Sequence, residues 1–440
     1  MHGKDKKLLS NDTIWDVAII GGGPAGMMAA GRAAELGRKV ILIEKNPTLG
    51  RKLLITGGGR CNVTNAEYDN RKLIERFKED GKYLFSAFSQ WSVKETLDFF
   101  HKRDMPTKIE NELRVFPESN KAQSVWNVLV GYMKEHNVTI LSNSQAIGII
   151  EKDKTITGIR LKNNKVIVAK NIIIAMGGTS HPETGSTGDA YSWLKKLGHK
   201  VVEPEPSLVP LAIKDAWVKR LAGVSLQNIK LTVFQNGVKQ EIRSGKNKIK
   251  SALGSKILFT HVGVSGPTIL NMSRDVGELL KYGEVTISLD LLPTLDYSAL
   301  NLKLQEVFRE NDKKRFKNCL GSIVPSSLAT AIVELSGIAP EKECNSVTRE
   351  ERLLLVNLLK AIPMNVEKLL GKDKAIISSG GVALEEVDFR TMSSRIFPNL
   401  YFVGDILNID RPSGGYSLQL CWTTGFVAGS SAARNFQNTE

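Results

Sequence analysis

Val17-Ala18-Ile19-Ile20-Gly21-Gly22-Gly23-Pro24-Ala25-Gly26 opens the stretch that decides the fold, and Lys39-Val40-Ile41-Leu42-Ile43-Glu44 closes it. The short apolar run at 17–20 has the form of a buried parallel strand. A G-x-G-x-x-G turn follows at once. Met27 to Leu36 is Ala-rich and helix-favouring, with Gly37 as a natural stop. A second apolar run then ends in an acid. Strand, glycine turn, helix, strand, acid is the dinucleotide-binding fingerprint in its proper context.

Each part has a physical task. Gly21 permits the tight turn, Gly23 lets a pyrophosphate reach the backbone, and Gly26 lets the helix pack close to the strand. Pro24 and Ala25 lie within the turn, and the N-terminus of the helix after it offers free N–H groups and a partial positive charge to phosphates. Glu44, 18 residues past Gly26, can accept ribose hydroxyl protons and would repel a 2′-phosphate. Adenosine of FAD or NAD therefore fits better than NADP.

Glycine is in excess, 38 of 440 residues, against a usual ~7%. A second cluster runs from Gly50 through Arg51 and Lys52 to Gly57-Gly58-Gly59-Arg60-Cys61-Asn62. Three consecutive glycines are entropically costly and make sense where backbone lies flat against a ligand. Near the C-terminus, Leu400 to Val403 reads as a strand ending at Gly404-Asp405, and Pro412 to Tyr416 opens a helix reaching about Asn435. Asp405 can hold polyol hydroxyls. The helix start at Gly415, Tyr416, Ser417 and Leu418 can stabilise negative charge. Reduced flavin is an anion, so these features favour FAD over NAD. Between them, Asn171 to Gly178 is a strand ending in a glycine pair, returning the chain to the crevice at Ala175 and Gly177. Lys45 and Ala146 complete the expected cofactor contacts.

The chain resembles the HI0933-like family of flavoproteins, often labelled NAD(FAD)-utilising dehydrogenases. The likeness rests on the fingerprint, Gly50 to Asn65, Phe116-Pro117, Met176 to Ser180, Gly185 to Asp189, Leu208 to Leu211, Phe259 to Pro267 and Gly404 to Gly425. It implies an α/β, Rossmann-type FAD domain of glutathione-reductase type. That domain would be interrupted by an insertion with a β-barrel-like part and a helical part. Two positions depart from the pattern: Asp405 stands where Glu is common, and Met176 where a small residue is common.

Residues 1–200 and 371–440 are accordingly expected to form the FAD domain, 201–295 a β-rich insertion and 296–370 its helical part. Residues 71–105 and Lys121 to His136 read as amphipathic helices, and Val138 to Val168 as strands with a turn at Asn163-Asn164. A Pro-rich junction at Pro204 to Pro210 marks a boundary. Asn236-Gly237 reads as a hairpin turn. Helices are expected at Asp296 to Glu310, Ser326 to Ser336, and Arg349 to Leu370 with a break at Pro363.

Length and composition exclude a peptide hormone, a disulfide-stapled toxin and a small binding module. Cys61, Cys319, Cys344 and Cys421 form no C-x-x-C pair and no zinc spacing, so reduced thiols in a cytoplasmic protein are expected, with no metal. Met1 to Asp12 is polar and lysine-rich, unlike a signal peptide. No run is long and apolar enough for a membrane span. The formal net charge of +14 is scattered. Its densest stretch is Lys239, Arg243, Lys246, Lys248, Lys250 and Lys256, read first as a solvated hairpin and otherwise as an RNA-facing surface.

The flavin would carry the redox chemistry, so no side chain need be a nucleophile. Arg60, Cys61 and Asn62 are the flavin-side candidates. His261 is a candidate proton donor to substrate. Cys61 lacks a resolving partner and reads as a packed thiol. The reading is an FAD-dependent oxidoreductase acting on a small organic substrate by hydride transfer. A single complete fingerprint leaves the electron donor open between NAD(P)H and none, the latter with oxygen as acceptor. An RNA- or tRNA-associated flavoprotein is the alternative. Oligomeric state is not legible.

Overall fold

β1 (Ile14–Ile20) runs into α1 (Pro24–Glu35) and then β2 (Val40–Ile43), as the fingerprint requires. In this computed structural model, which describes residues 13–240, 243–244, 247–248, 255–371 and 377–435, β1 sits at the centre of a parallel array. On one side lie β2 and then β3 (Thr139–Leu141). On the other lie β4 (Val166–Ile174) and then β5 (Leu400–Phe402). The chain leaves β1 to one side and returns on the other. A crevice therefore opens at the carboxyl ends of β1 and β4, where such sheets take their ligands. Ala146–Lys152 and Thr155–Leu161 form an antiparallel meander leading into β4.

Small residues set how closely the helices cover this sheet. α1 is buried along nearly its whole length, between the sheet and the last helix, α2 (Tyr416–Arg434). A Cβ on Gly425 would stand 2.5 Å from the Ala25 carbonyl oxygen, and one on Gly429 2.5 Å from that of Ala29. The two helices approach at a distance only hydrogen allows. The segment expected to be helical at 71–105 resolves into Asn70–Glu75, Gly81–Gln90 and Val93–His101, and a further helix spans Ala122–Glu135.

The chain divides into two compact units, Met1–Ser207 with Lys372–Glu440, and Leu208–Gly371. Up to Ser207 the Pro-rich junction is strand rather than loop. Val201–Ser207 is a strand paired antiparallel with Ile377–Val382, so the outgoing and returning chains form one ribbon. In the second unit, Leu211–Ile213, Ser225–Gln235, Ser255–Thr260, Gly263–Ser265, Val285–Asp290 and Ile362–Leu369 pair antiparallel into a closed ring. Closure removes the sheet edges. Asn236 and Gly237 take positive φ at the hairpin, the two-residue turn that matches strand twist. Barrel residues such as Phe259, Ile287 and Met364 share one hydrophobic core with Leu304, Phe316, Leu328 and Leu355 of the helical part.

Three expectations are corrected. Residues 362–369 are a barrel strand rather than the end of a helix: the helix Arg349–Lys360 stops before Pro363, and Ile362, Met364 and Val366 alternate inward. Pro363 disfavours helical backbone at Ala361–Ile362 and leaves the period-2 pattern to win. The β-rich part also holds a helix, Pro267–Leu280, whose Ile269, Met272 and Val276 join the barrel core. Finally, Cys319 and Cys344 are joined as a disulfide, while Cys61 and Cys421 are free and buried. The pair is 25 residues apart in sequence, a long-range meeting that local spacing does not reveal.

Candidate functional site

Gly21 follows β1 with φ +107°, and a Cβ there would lie 2.4 Å from the Ala175 carbonyl oxygen at the end of β4. A Cβ on Gly26 would lie 2.0 Å from the Gly21 carbonyl oxygen. Both positions are closed to any other residue. Gly23 is the opposite case: its Cβ direction meets nothing within 4 Å and faces open space in the cleft. No side chain caps α1, and no acid lies in its first turn. Its N-terminal N–H groups and positive dipole end are thus left for an anion.

Glu44 ends β2 in the same cleft. Its Oε2 accepts from the Gly22 N–H at 2.7 Å, and its Oε1 accepts from the Asn46 N–H and side-chain amide at 2.8 and 2.7 Å. A carboxylate has about four lone-pair sites, and these contacts use three of them. Asn46 also donates to the Thr184 carbonyl. This draws Thr184 to Ser186 onto the cleft wall. Gly185 and Ser186 of the Gly185-Ser186-Thr187-Gly188 motif therefore line this cleft. Lys45 donates to Thr187 at 2.6 Å and pairs with Asp189.

The cleft gathers most of the expected contacts: Gly21, Gly23, Pro24, Ala25, Glu44, Lys45, Arg51, Lys52, Ala146, Ala175, Gly177, Asp405, Ser417 and Leu418 all line it. Lys52 donates to Ser180 Oγ at 3.0 Å. Burial pushes its ammonium below the usual lysine range, while Asp405 pulls the other way. α2 begins uncapped at Gly415, with no acid in its first turn, so a second helix N-terminus meets the cleft at Ser417 and Leu418.

Other expected residues stand behind or beside it. Gly26 supports the turn from below. Gly404 donates its N–H to Thr424 Oγ1. A Cβ on Gly415 would strike the Thr64 carbonyl. Tyr416 is buried edge-on against Phe77. Gly57, Gly58 and Gly59 all take left-handed backbone and are exposed, and Gly58 and Gly59 have open space at Cβ. Arg60 is held over the Phe116 ring, 4.1 Å from its centroid, with Glu110 and Asn120 on its guanidinium.

Cys61 is fully buried, and burial pushes its thiol up to about 12. A thiolate is disfavoured, in keeping with a packed role. Asn62 Oδ1 is buried without a hydrogen-bond partner among the described residues. His261 lies in the exposed turn between Ser255–Thr260 and Gly263–Ser265 of the second unit and is not among the lining residues.

Sequence reasoning missed several residues. Asn46, Thr56, Ser144, Met176 and Cys421 also line the cleft. Cys421 lies four residues after Ser417, one turn along the same helix face, a signal that could have found it. Arg411 carried none. It is buried beside Asp405, donating Nη1 to Asp405 Oδ1 at 2.5 Å.

FAD fits this set of groups. The open Gly23 face and two uncapped helix starts suit a diphosphate, Glu44 a ribose, and Asp405 a polyol. The basic stretch of the insertion is only partly described: Lys239 is exposed and Lys256 half-buried, while Lys246 and Lys250 lie outside the described residues. No helix among the described residues is long and apolar enough to cross a membrane.

The chain is 29% identical over 426 residues to a 3-dehydro-bile acid delta(4,6)-reductase of Clostridium scindens, covering 95% of this chain and 98% of that one. It is 28% identical over 417 residues to a ribosomal RNA dihydrouridine synthase of Escherichia coli, covering 94% and 96%. In fold it is similar to the 3-ketosteroid delta1-dehydrogenase of Sterolibacterium denitrificans, with TM-score 0.53, 13% identity, and 97% and 100% of the two chains covered. The model of the HI0933-like protein Rossmann domain matches residues 15–431. The chain thus belongs to the HI0933-like family of FAD-dependent oxidoreductases.

Proposed function

We propose that this enzyme reduces a polarised carbon–carbon double bond in a small organic substrate, with NAD(P)H as the source of the hydride. The observation that carries the reading is the cleft itself, with its open Gly23 face, the Glu44 carboxylate and Asp405 at successive strand ends. FAD, when bound, supplies a ring that accepts and passes on two electrons. The chain's own residues bind and orient it. The starts of α1 and α2 face negative charge, Glu44 takes the ribose, and Asp405 takes the polyol. The exposed left-handed loop Gly57–Gly59 leaves backbone free to lie against a flat ring. The names of the two relatives support the choice of reaction, since delta(4,6) reduction and dihydrouridine formation each saturate a double bond.

Added FAD should give a yellow protein with absorbance near 450 nm. Anaerobic mixing with NADH and NADPH separately should bleach it with one donor, and an enone should restore the colour. A colourless protein ends the reading. Colour that no nicotinamide bleaches turns it toward an oxidase.

A second reading places the reducible base on RNA. The basic residues between Lys239 and Lys256 favour it, as does the name of the Escherichia coli relative. Binding of total ribosomal RNA should then weaken steeply with salt. Absence of binding at low salt removes it.

A further inference from the structure

Arg411 is an anomaly. Its side chain is fully buried, yet only Nη1 is bonded, to Asp405 Oδ1. Nε and Nη2 are buried without a partner among the described residues. A buried guanidinium on one bond is a net cost to a fold, and each such orphan group needs a reason. Packing does not supply one, because the charge contributes nothing that a methionine of similar length would not.

The surrounding loop nevertheless holds Arg411 in place. The Asn408 N–H donates to Val382. The Asp410 N–H donates to Asp80, while the Asp410 carboxylate takes Lys78. Gly414 is tied back by Asn65. Anchors on both sides keep Arg411 against Asp405, and Asp405 lines the cleft. Lys52 lines the same cleft. Asp405 and Arg411 both act electrostatically on Lys52, so the charge of Arg411 is felt in the cleft.

We infer that Arg411 is a positioning residue of the FAD site. It clamps Asp405 by one oxygen so that the other is presented to the cofactor, and it adds positive charge beside an anionic ligand. This rests on the FAD reading above. It predicts an uncommon combination: the residue should matter to the loaded protein and be indifferent or costly to the empty one.

The test compares wild type, R411M, R411K, D405N and the double variant R411M/D405N as apo-proteins. Thermal melting is followed first, then FAD titration by quenching of its fluorescence. R411M should bind FAD at least 10-fold more weakly, with an apo melting temperature equal to or above that of wild type. R411K should recover part of the affinity. The double variant should be no weaker than the weaker single, since both act through one contact. Unchanged FAD affinity in R411M overturns the inference. So does a lowered apo melting temperature in R411M, or failure of both R411M and R411K to fold, because each makes Arg411 a structural residue. Wild-type protein that does not bind FAD overturns the functional reading itself, whereas wild-type binding with an indifferent R411M overturns only the inference.

Discussion

Glu44 Oε2 accepts the Gly22 N–H at 2.7 Å, which ties the acid at the end of β2 directly to the glycine turn after β1. The acid that would hold the ribose therefore also sets the turn that would hold the diphosphate. Glu44→Gln keeps the shape but replaces one acceptor oxygen with an N–H donor facing donors. The buried donor left unmet destabilises the apo fold, while the ribose loses a hydrogen bond to a charged acceptor worth about 1.5–3 kcal/mol, and each 1.4 kcal/mol is about tenfold. FAD affinity should fall by about 10- to 100-fold in a fluorescence titration, with a measurable loss of apo stability as well.

Gly23 and Gly26 should separate binding from folding. Gly26→Ala drives a methyl into the Gly21 carbonyl at 2.0 Å and should cost about 3 kcal/mol or more, seen as a large fall in the denaturation midpoint. Gly23→Ala meets open space at ordinary φ. Its apo stability should fall by no more than about 1 kcal/mol, while the new methyl occupies the diphosphate face and lowers FAD affinity at least about tenfold. Equal stability losses in the two variants would contradict the assignment of the glycines.

His199 gives the fold a pH dependence. Its ring is buried, with Nδ1 on Glu386 and Nε2 near Ser394. Burial pushes its pKa below the usual 6.5, and Glu386 only partly opposes this. The unfolded chain therefore takes up a proton near pH 6.5 while the native chain resists. Stability should be level above that pH and fall as pH drops below it, by up to about 1.4 kcal/mol per pH unit. Urea denaturation between pH 7.5 and 5 measures the slope, and His199→Gln should flatten it.

Lys360 anchors the barrel unit. Its ammonium is nearly buried, 2.7 Å from Asp290 and bonded to the Leu292 and Leu295 carbonyls. Lys360→Met strands the Asp290 charge and should cost about 3–5 kcal/mol. Lys360→Met with Asp290→Asn should recover a large part, read by the same denaturation midpoint.

The fingerprint was legible because each of its steps is local: a turn, a helix start and a strand end lie within a few residues of one another. The same holds for Asp405 and the start of α2. What stayed hidden depends on distant partners. The Ile362–Leu369 strand competes with a helical reading until the neighbours Leu211–Ile213 and Val285–Asp290 are known. Cys319 meets Cys344 only through the fold of the helical part. Arg411 looks like any loop arginine until burial removes its water. Arg60, whose motif placed it at the flavin, spends its guanidinium on Phe116, Glu110 and Asn120.

The packing of α2 on α1 has a consequence for synthesis. α1 leaves the ribosome long before the glycine face that covers it, Gly425 and Gly429, is made. β5 likewise reaches β4 only after the whole barrel unit has been translated. A nascent chain stalled before Leu400 carries the fingerprint with neither its neighbouring strand nor its covering helix. The cleft is thus completed only once α2 has been made, and a truncation before Tyr416 removes Ser417, Leu418 and Cys421 from a site whose glycine turn was made long before.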